Sequence, residues 1–370
     1  MERTVAGIRL PGETRRHRVG ATGSIAMVTA ILLCLGMASG AGAAAPRPFY
    51  GVIDSAERGP DSAEIARMGA GGVGTLRINL VWGAVQPTPG APLDWLLYDR
   101  LIGDAAQNGI RVLPTVYSSP AWAAASPNHP PARPHMAEFA AFVNAAARRY
   151  GSNGEFWSTH PWLPKLPVID WQLWNEVNSP SFWYAKPSAK QYVALLRVFS
   201  RGINRADPAA KIVLAGLFRR PNLRNGVPLK RYLPAIYRHG GKRLFDAVSV
   251  HPYAKTPRVA LDSLRETRRI MSQFKDRRAR LWITEIGWAT GGNPPTPLTV
   301  SPVRQADYLR RTYRLMAANR KRLRIDGVVW YSWRDAPGGG IWIAHTGLFT
   351  ADLSPKPAWS AFVGLTGGTP

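Results

Sequence analysis

From residue 49 onward the chain repeats one pattern eight times: a short, β-branched apolar run, then a longer segment of helical spacing. The runs lie at 49–53, 75–80, 111–117, 168–174, 211–215, 247–251, 280–284 and 327–331. Such alternation calls for parallel strands joined by crossover helices, because parallel neighbours cannot be linked by a tight hairpin. Between the runs, Leu93, Leu97, Leu101 and Ala105 share one helical face behind an N-cap at Asp94 and stop at Asn108-Gly109. Phe139, Phe142, Val143 and Ala146 repeat that spacing, as do Tyr192, Leu195, Leu196 and Phe199, and Tyr308, Leu309, Tyr313 and Met316. Eight such units predict an α/β fold, a closed (β/α)8 TIM barrel in a single domain, rather than an open doubly wound sheet. No Gly-rich phosphate loop follows the first run, which argues against nucleotide binding. After the eighth run there is room for a turn around 347–352 and one last helix, and none for an accessory β-sandwich.

The segment before the first run has a different character. Arg3, Arg9, Arg15, Arg16 and Arg18 precede an apolar stretch at 25–36, and small residues follow to Ala45, with Ala41-Gly42-Ala43 as a cleavage site. This is the layout of a secretory signal over 1–43, leaving a catalytic domain over 44–370. The apolar stretch is shorter than the roughly 20 residues of a spanning helix, so no membrane span is expected after cleavage, although an uncleaved anchor stays open. Cys34, the one cysteine, sits in that stretch behind Leu33, so the mature chain has neither a disulfide nor a Cys-based metal site.

The chain carries a formal charge of +25, which falls to about +22 beyond residue 43. The charge comes from 38 Arg and 10 Lys, scattered along helical segments with no run resembling a nucleic-acid-binding arm. A solvated basic surface and attraction to an anionic polymer are both consistent with this, and nucleic acid is the least favoured partner.

In a barrel of this type the strand C-termini open onto one face, and active-site residues come from those ends. There the sequence places Asp54, then Arg77 within Leu76-Arg77-Ile78-Asn79, then Trp174-Asn175-Glu176-Val177-Asn178. His251-Pro252-Tyr253, Thr284-Glu285-Ile286-Gly287-Trp288 and Trp330-Tyr331-Ser332-Trp333-Arg334-Asp335 end the last three runs. Polar groups at so many ends point to one shared site.

Taken together, Arg77, Asn175-Glu176, Tyr253, Glu285 and Trp333 resemble the retaining glycoside hydrolases of clan A, in particular families 39 and 5, across residues 49–364. The resemblance implies that Glu176 is the acid/base and Glu285 the nucleophile. Such an enzyme needs one carboxylic acid to protonate the leaving oxygen and one carboxylate to attack the anomeric carbon, about 5 to 5.5 Å apart. Their environments must therefore differ. Arg77 beside Glu285 would favour its ionised form, the Tyr253 hydroxyl would orient the same carboxylate, and Asn175 would hold the sugar 2-hydroxyl.

The expected function is exported retaining β-glycoside hydrolysis of an oligo- or polysaccharide, possibly anionic, with transglycosylation and a non-catalytic carbohydrate-binding barrel as alternatives. No cofactor and no metal is expected, because the histidines lack ligand spacing. His251 is either a core histidine or a group that lines the sugar pocket or tunes Glu176. A pyranose presents C–H groups that lie well against indole, which makes Trp333 the first candidate platform. Trp288 and Trp122 are further candidates, with Trp82, Trp183 and Trp342 beside them.

Overall fold

The computed structural model describes residues 45–54, 59–221 and 224–370. The signal sequence expected over 1–43, with Cys34 and the cleavage site, lies outside the described residues. Nine parallel strands form the sheet: β1 (Tyr50–Ile53), β2 (Thr75–Val81), β3 (Arg111–Tyr117), β4 (Asp170–Leu173), β5 (Lys211–Val213), β6 (Leu217–Phe218), β7 (Ala247–His251), β8 (Arg280–Ile286) and β9 (Ile325–Tyr331). Their order is β5-β4-β3-β2-β1-β9-β8-β7-β6, and β5 also pairs with β7, which closes the ring. The short β5 and β6 are two halves of the fifth barrel strand, so the barrel has eight staves, as the alternation predicts.

Among the described residues ten helices accompany the strands: α1 (Ser62–Ala70), α2 (Trp82–Val85), α3 (Leu96–Gln107), α4 (Met136–Tyr150), α5 (Glu155–Thr159), α6 (Ala189–Ala206), α7 (Leu229–Arg238), α8 (Pro257–Gln273), α9 (Pro302–Leu323) and α10 (Pro357–Thr366). Their starts follow local chemistry. Asp61 and Glu64 close a capping box on α1, and Ser188, Thr256 and Ser301 each accept a backbone N–H in the first turn of α6, α8 and α9. Among the described residues no helix is long and apolar enough to cross a membrane.

Two departures from the expected strands shape the site. The fifth run stops at Val213 and pairing resumes at Gly216, which bridges to Asn175 and lies so near His251 that a Cβ there would sit 1.9 Å from Nε2. The fourth stops at Leu173, and Trp174 and Glu176 both take left-handed backbone angles, φ 66° and 34°. For residues other than glycine that conformation costs about 1–2 kcal/mol each. The turn sets Asn175 and Glu176 into the barrel mouth.

The inside of the barrel is layered. Ile53, Leu113, Val213, Ala247, Trp282 and Val329 fill an apolar layer with the Tyr331 ring against it. A second layer is polar and buried: Arg77, Thr115, Gln172, Ser249, His251 and Thr284. Glu285 joins it through an irregularity in β8. Ile283 pairs with Val328 and Ile286 with Trp330, so three residues of β8 step against two of β9. Thr284 and Glu285, which an unbroken strand would send to opposite faces, thus both bond groups inside the barrel.

Candidate active site

The C-terminal mouth holds a cavity of about 520 Å³. Arg77, Asn175, Glu176, Tyr253, Glu285 and Tyr331 face it from the strands and the turns that follow them, Phe218 walls it from β6, and Phe182, Ile341 and Trp342 wall it from the loops. Arg77 Nη1 donates to Glu285 Oε1 at 2.7 Å, and the Tyr253 hydroxyl donates to Oε2 at 3.1 Å. Arg77 Nη2 also donates to Asn175 Oδ1 at 3.1 Å, which leaves the Asn175 amide N–H groups free of that contact. On the other side, His251 Nδ1 lies 2.8 Å from Glu176 Oε1. One carboxylate oxygen of Glu176 and one of Glu285 lie within 4.8 Å of each other.

Burial and charge set the two carboxyls apart. Loss of water raises the Glu176 carboxyl well above the usual range, and the charge of Glu285 raises it further, with Arg77 opposing. Burial raises Glu285 too, but the Arg77 charge and hydrogen bond and the Tyr253 hydroxyl all favour its ionised form. The pair therefore holds one proton first on Glu176. Burial and the Arg77 charge push His251 well below its ordinary value, so the imidazole is neutral. Burial holds the Tyr253 phenol well above its ordinary value, and it stays a donor.

The residues read from the sequence separate into two sets. Glu176, Glu285, Arg77, Asn175 and Tyr253 come together at the cavity. The other four expected substrate contacts do not. His251 is buried beneath Glu176 and Glu285 and reaches those carboxylates instead of the open cavity. Trp333 is fully buried: its ring packs 4.4 Å from Phe349 and 5.3 Å from Trp359, and Nε1 donates to Glu64 at 2.9 Å. The chain has left β9 by that point, so two-residue alternation no longer applies, and Tyr331 meets the cavity. Trp288 points out of the barrel onto Trp330 and Tyr308, with Nε1 bonded to Ala254 O. Trp122 packs edge-on against Trp82 and donates to Gln86 O, in a separate hollow beside α4. Trp82 and Trp183 are buried as well, which leaves Trp342, its ring 5.3 Å from Tyr253, as the tryptophan at the cavity.

Sequence reasoning passed over Tyr117, Tyr331 and the buried Gln172, Ser249 and Thr284. A signal existed for the last three: each is a polar side chain at an inward position of an otherwise apolar strand, and buried polar groups need partners.

Glu176, His251 and Glu285 each offer one possible ligand atom, and these atoms lie within 4.8 Å of one another. These donors are already engaged, since Glu285 holds the Arg77 guanidinium and His251 holds Glu176. A cation would have to displace that arginine. Among the described lining residues Arg77 is the one cation.

No family model and no curated protein matches the sequence. Solved structures do. A family 39 glycoside hydrolase from the gut symbiont Bacteroides cellulosilyticus WH2 superposes with a TM-score of 0.68 at 23% identity, over 87% of this chain and 63% of its own. The fold it shares with this chain is the (β/α)8 barrel. A monomeric beta-xylosidase from Caulobacter crescentus CB15 gives 0.64 at 18% identity, covering 87% of this chain and 68% of that one. A GH5_18 protein from Bifidobacterium longum subsp. longum gives 0.59 at 16%, covering 83% and 72%. This barrel thus spans less than two thirds of the family 39 structure.

Proposed function

We propose that the protein is an exported retaining β-glycosidase that cleaves an O-glycosidic bond of an oligo- or polysaccharide by double displacement. One observation carries the reading: two carboxylates from opposite sides of the barrel mouth have oxygens within 4.8 Å of each other, one ion-paired to a buried arginine and the other not. Retaining enzymes hold their carboxyls about 5–5.5 Å apart, whereas inverting ones leave about 6.5–9.5 Å for a water.

Glu285, kept anionic by Arg77 and aimed by Tyr253, attacks the anomeric carbon. Glu176, held protonated by burial and by its charged neighbour, gives its proton to the departing oxygen. The C–O bond to the leaving group breaks as the ester bond to Glu285 forms. Glu285 then carries no charge, and Glu176 becomes the anion that takes a proton from water as that water breaks the ester. Asn175, oriented by Arg77, donates to the sugar 2-hydroxyl. The walls supply Trp342, Phe182 and Phe218 for sugar faces. The Arg-rich start and apolar stretch of residues 1–43 support export.

The test is the anomeric form of the first product. Aryl β-glycosides of neutral sugars are incubated with the purified protein and followed by proton NMR from the first minutes. A β-configured sugar appearing before mutarotation supports the reading, and an α-configured one overturns it. Binding without turnover selects the carbohydrate-binding alternative, while products longer than the donor select transglycosylation.

A further inference from the structure

Behind Glu176 the polar layer forms one connected line of hydrogen bonds, and the chemistry of its members settles the direction of each bond. Arg77 only donates, and its Nε lies 2.8 Å from Gln172 Oε1, so that oxygen accepts, also from Thr115 Oγ1 at 2.9 Å. The amide nitrogen of Gln172 is therefore turned the other way. It donates toward Leu214 O at 3.2 Å, Ser249 Oγ at 3.1 Å and Thr284 Oγ1 at 3.3 Å. Ser249 is buried, and the acceptor within its reach is Thr284 Oγ1, so its hydroxyl proton goes there. Thr284 must then send its own proton onward, to His251 Nε2 at 3.0 Å. With Nε2 accepting, the neutral imidazole carries its proton on Nδ1, which faces Glu176 Oε1 at 2.8 Å and Glu285 Oε2 at 3.4 Å.

We propose that Gln172, Ser249 and Thr284 are positioning residues that hold His251 as its Nδ1–H tautomer, so that the transferable proton of Glu176 resides on Oε2, away from the imidazole. Oε1 is occupied as an acceptor in both protonation states of Glu176. When Oε2 releases its proton to the leaving oxygen, the new carboxylate keeps the Nδ1–H bond, and no proton moves through the line. The charged and titratable groups facing the imidazole are Arg77, Glu176, Glu285 and the Tyr253 phenol. Protonating Nε2 as well would require Thr284 to turn its proton back on Ser249, which has no further acceptor. Gly216 holds the ring in this line, since a Cβ there would meet Nε2, Cδ2 and Cε1 at 1.9–2.5 Å.

The kinetic half of this proposal rests on the reading of Glu176 as acid/base, and the tautomer half does not. The protein is labelled with 15N-histidine, and the two ring nitrogens of His251 are assigned by their loss in His251→Asn. Long-range proton–nitrogen correlation is expected to show a neutral Nδ1–H imidazole between pH 5 and 8, although the other tautomer is the commoner one in water. Thr284→Val is expected to lose that tautomer and Thr284→Ser to retain it. Thr284→Ala, which removes the same hydroxyl, is the second variant should the valine protein not fold. An Nε2–H or cationic His251 in the unaltered protein overturns the proposal.

On aryl β-xylosides and β-glucosides, Thr284→Val is expected to lose at least about tenfold more kcat/KM with a 4-methylphenyl leaving group than with a 2,4-dinitrophenyl one, which needs no acid. Equal losses on both would reduce Thr284 to a packing role. If the unaltered protein cleaves neither while the tautomer is as stated, the functional reading fails and the proton order stands.

Discussion

The His251 ring rests on Gly216, so close that a methyl group on that glycine would lie 1.9 Å from Nε2. This contact joins the break in the fifth barrel strand to the carboxylate that His251 holds. Gly216→Ala is expected to push the ring off Thr284 and Glu176 and to destabilise the barrel by about 1–3 kcal/mol, the usual cost of overpacking. Urea unfolding measures the stability, and kcat/KM on a poor-leaving-group glycoside reports the ring. An alanine variant with both unchanged would show that the ring has room to move.

Glu176→Gln is expected to lower activity by about 10²–10⁴-fold, the usual contribution of a positioned acid/base, and least for activated aryl glycosides. Glu285→Gln should remove about four orders of magnitude or more whatever the leaving group, since no covalent intermediate can form. Azide should restore turnover to Glu176→Ala with formation of a β-glycosyl azide, and mass spectrometry with NMR identifies the product. An α-glycosyl azide from that variant would reverse the two assignments.

Activity should follow a bell-shaped pH profile, with the ionisation of Glu285 on the acid side and of Glu176 on the alkaline side. Stability follows the same groups. Because the folded value of Glu176 is raised above 4.5, its contribution is fully present below that pH and is lost as pH rises through the folded value. Glu176→Gln should therefore gain stability over the unaltered protein as pH increases, with the two converging near pH 4. Thermal unfolding from pH 4 to 9 tests this.

A second carboxylate titrates at the opposite end of the barrel. Burial pushes Asp170, at the start of β4, up to about 7, with Asp326 and Asp246 adding to the rise and Arg111 and Lys211 opposing it. Its contribution to stability is present below about pH 4 and is lost as pH climbs through 7. Asp170→Asn is expected to raise the unfolding temperature at pH 8–9, to leave it unchanged near pH 4, and to spare activity, being far from the mouth.

The two tryptophans after β9 should behave oppositely. Trp333→Ala removes a fully buried ring and its bond to Glu64, at a cost of about 3–5 kcal/mol. Trp342→Ala, at the half-exposed cavity wall, should raise KM several-fold and leave unfolding nearly unchanged. Calorimetry and initial rates separate them, and a KM effect from Trp333 without a stability loss would return it to the sugar.

The alternation of apolar runs and helical segments determined the barrel by itself, because strand and helix periods are local and parallel strands have few ways to close. That Glu176, Glu285, Arg77, Asn175 and Tyr253 would meet at one mouth was legible for a related reason: each lies in or just after a barrel strand, and the strand C-termini share one face. What the sequence left undecided is where side chains go once regular alternation stops. The three-against-two step in β8 turned Glu285 inward beside Thr284, and departure from β9 hid Trp333 and left Tyr331 at the cavity. His251 moved from the cavity wall to the layer below because a glycine 35 residues away made space for it. The proton order from Arg77 to Glu176 likewise exists only in the assembled barrel, since its members come from β2, β4, β7 and β8, and a hydrogen bond acquires direction only when both partners are in place.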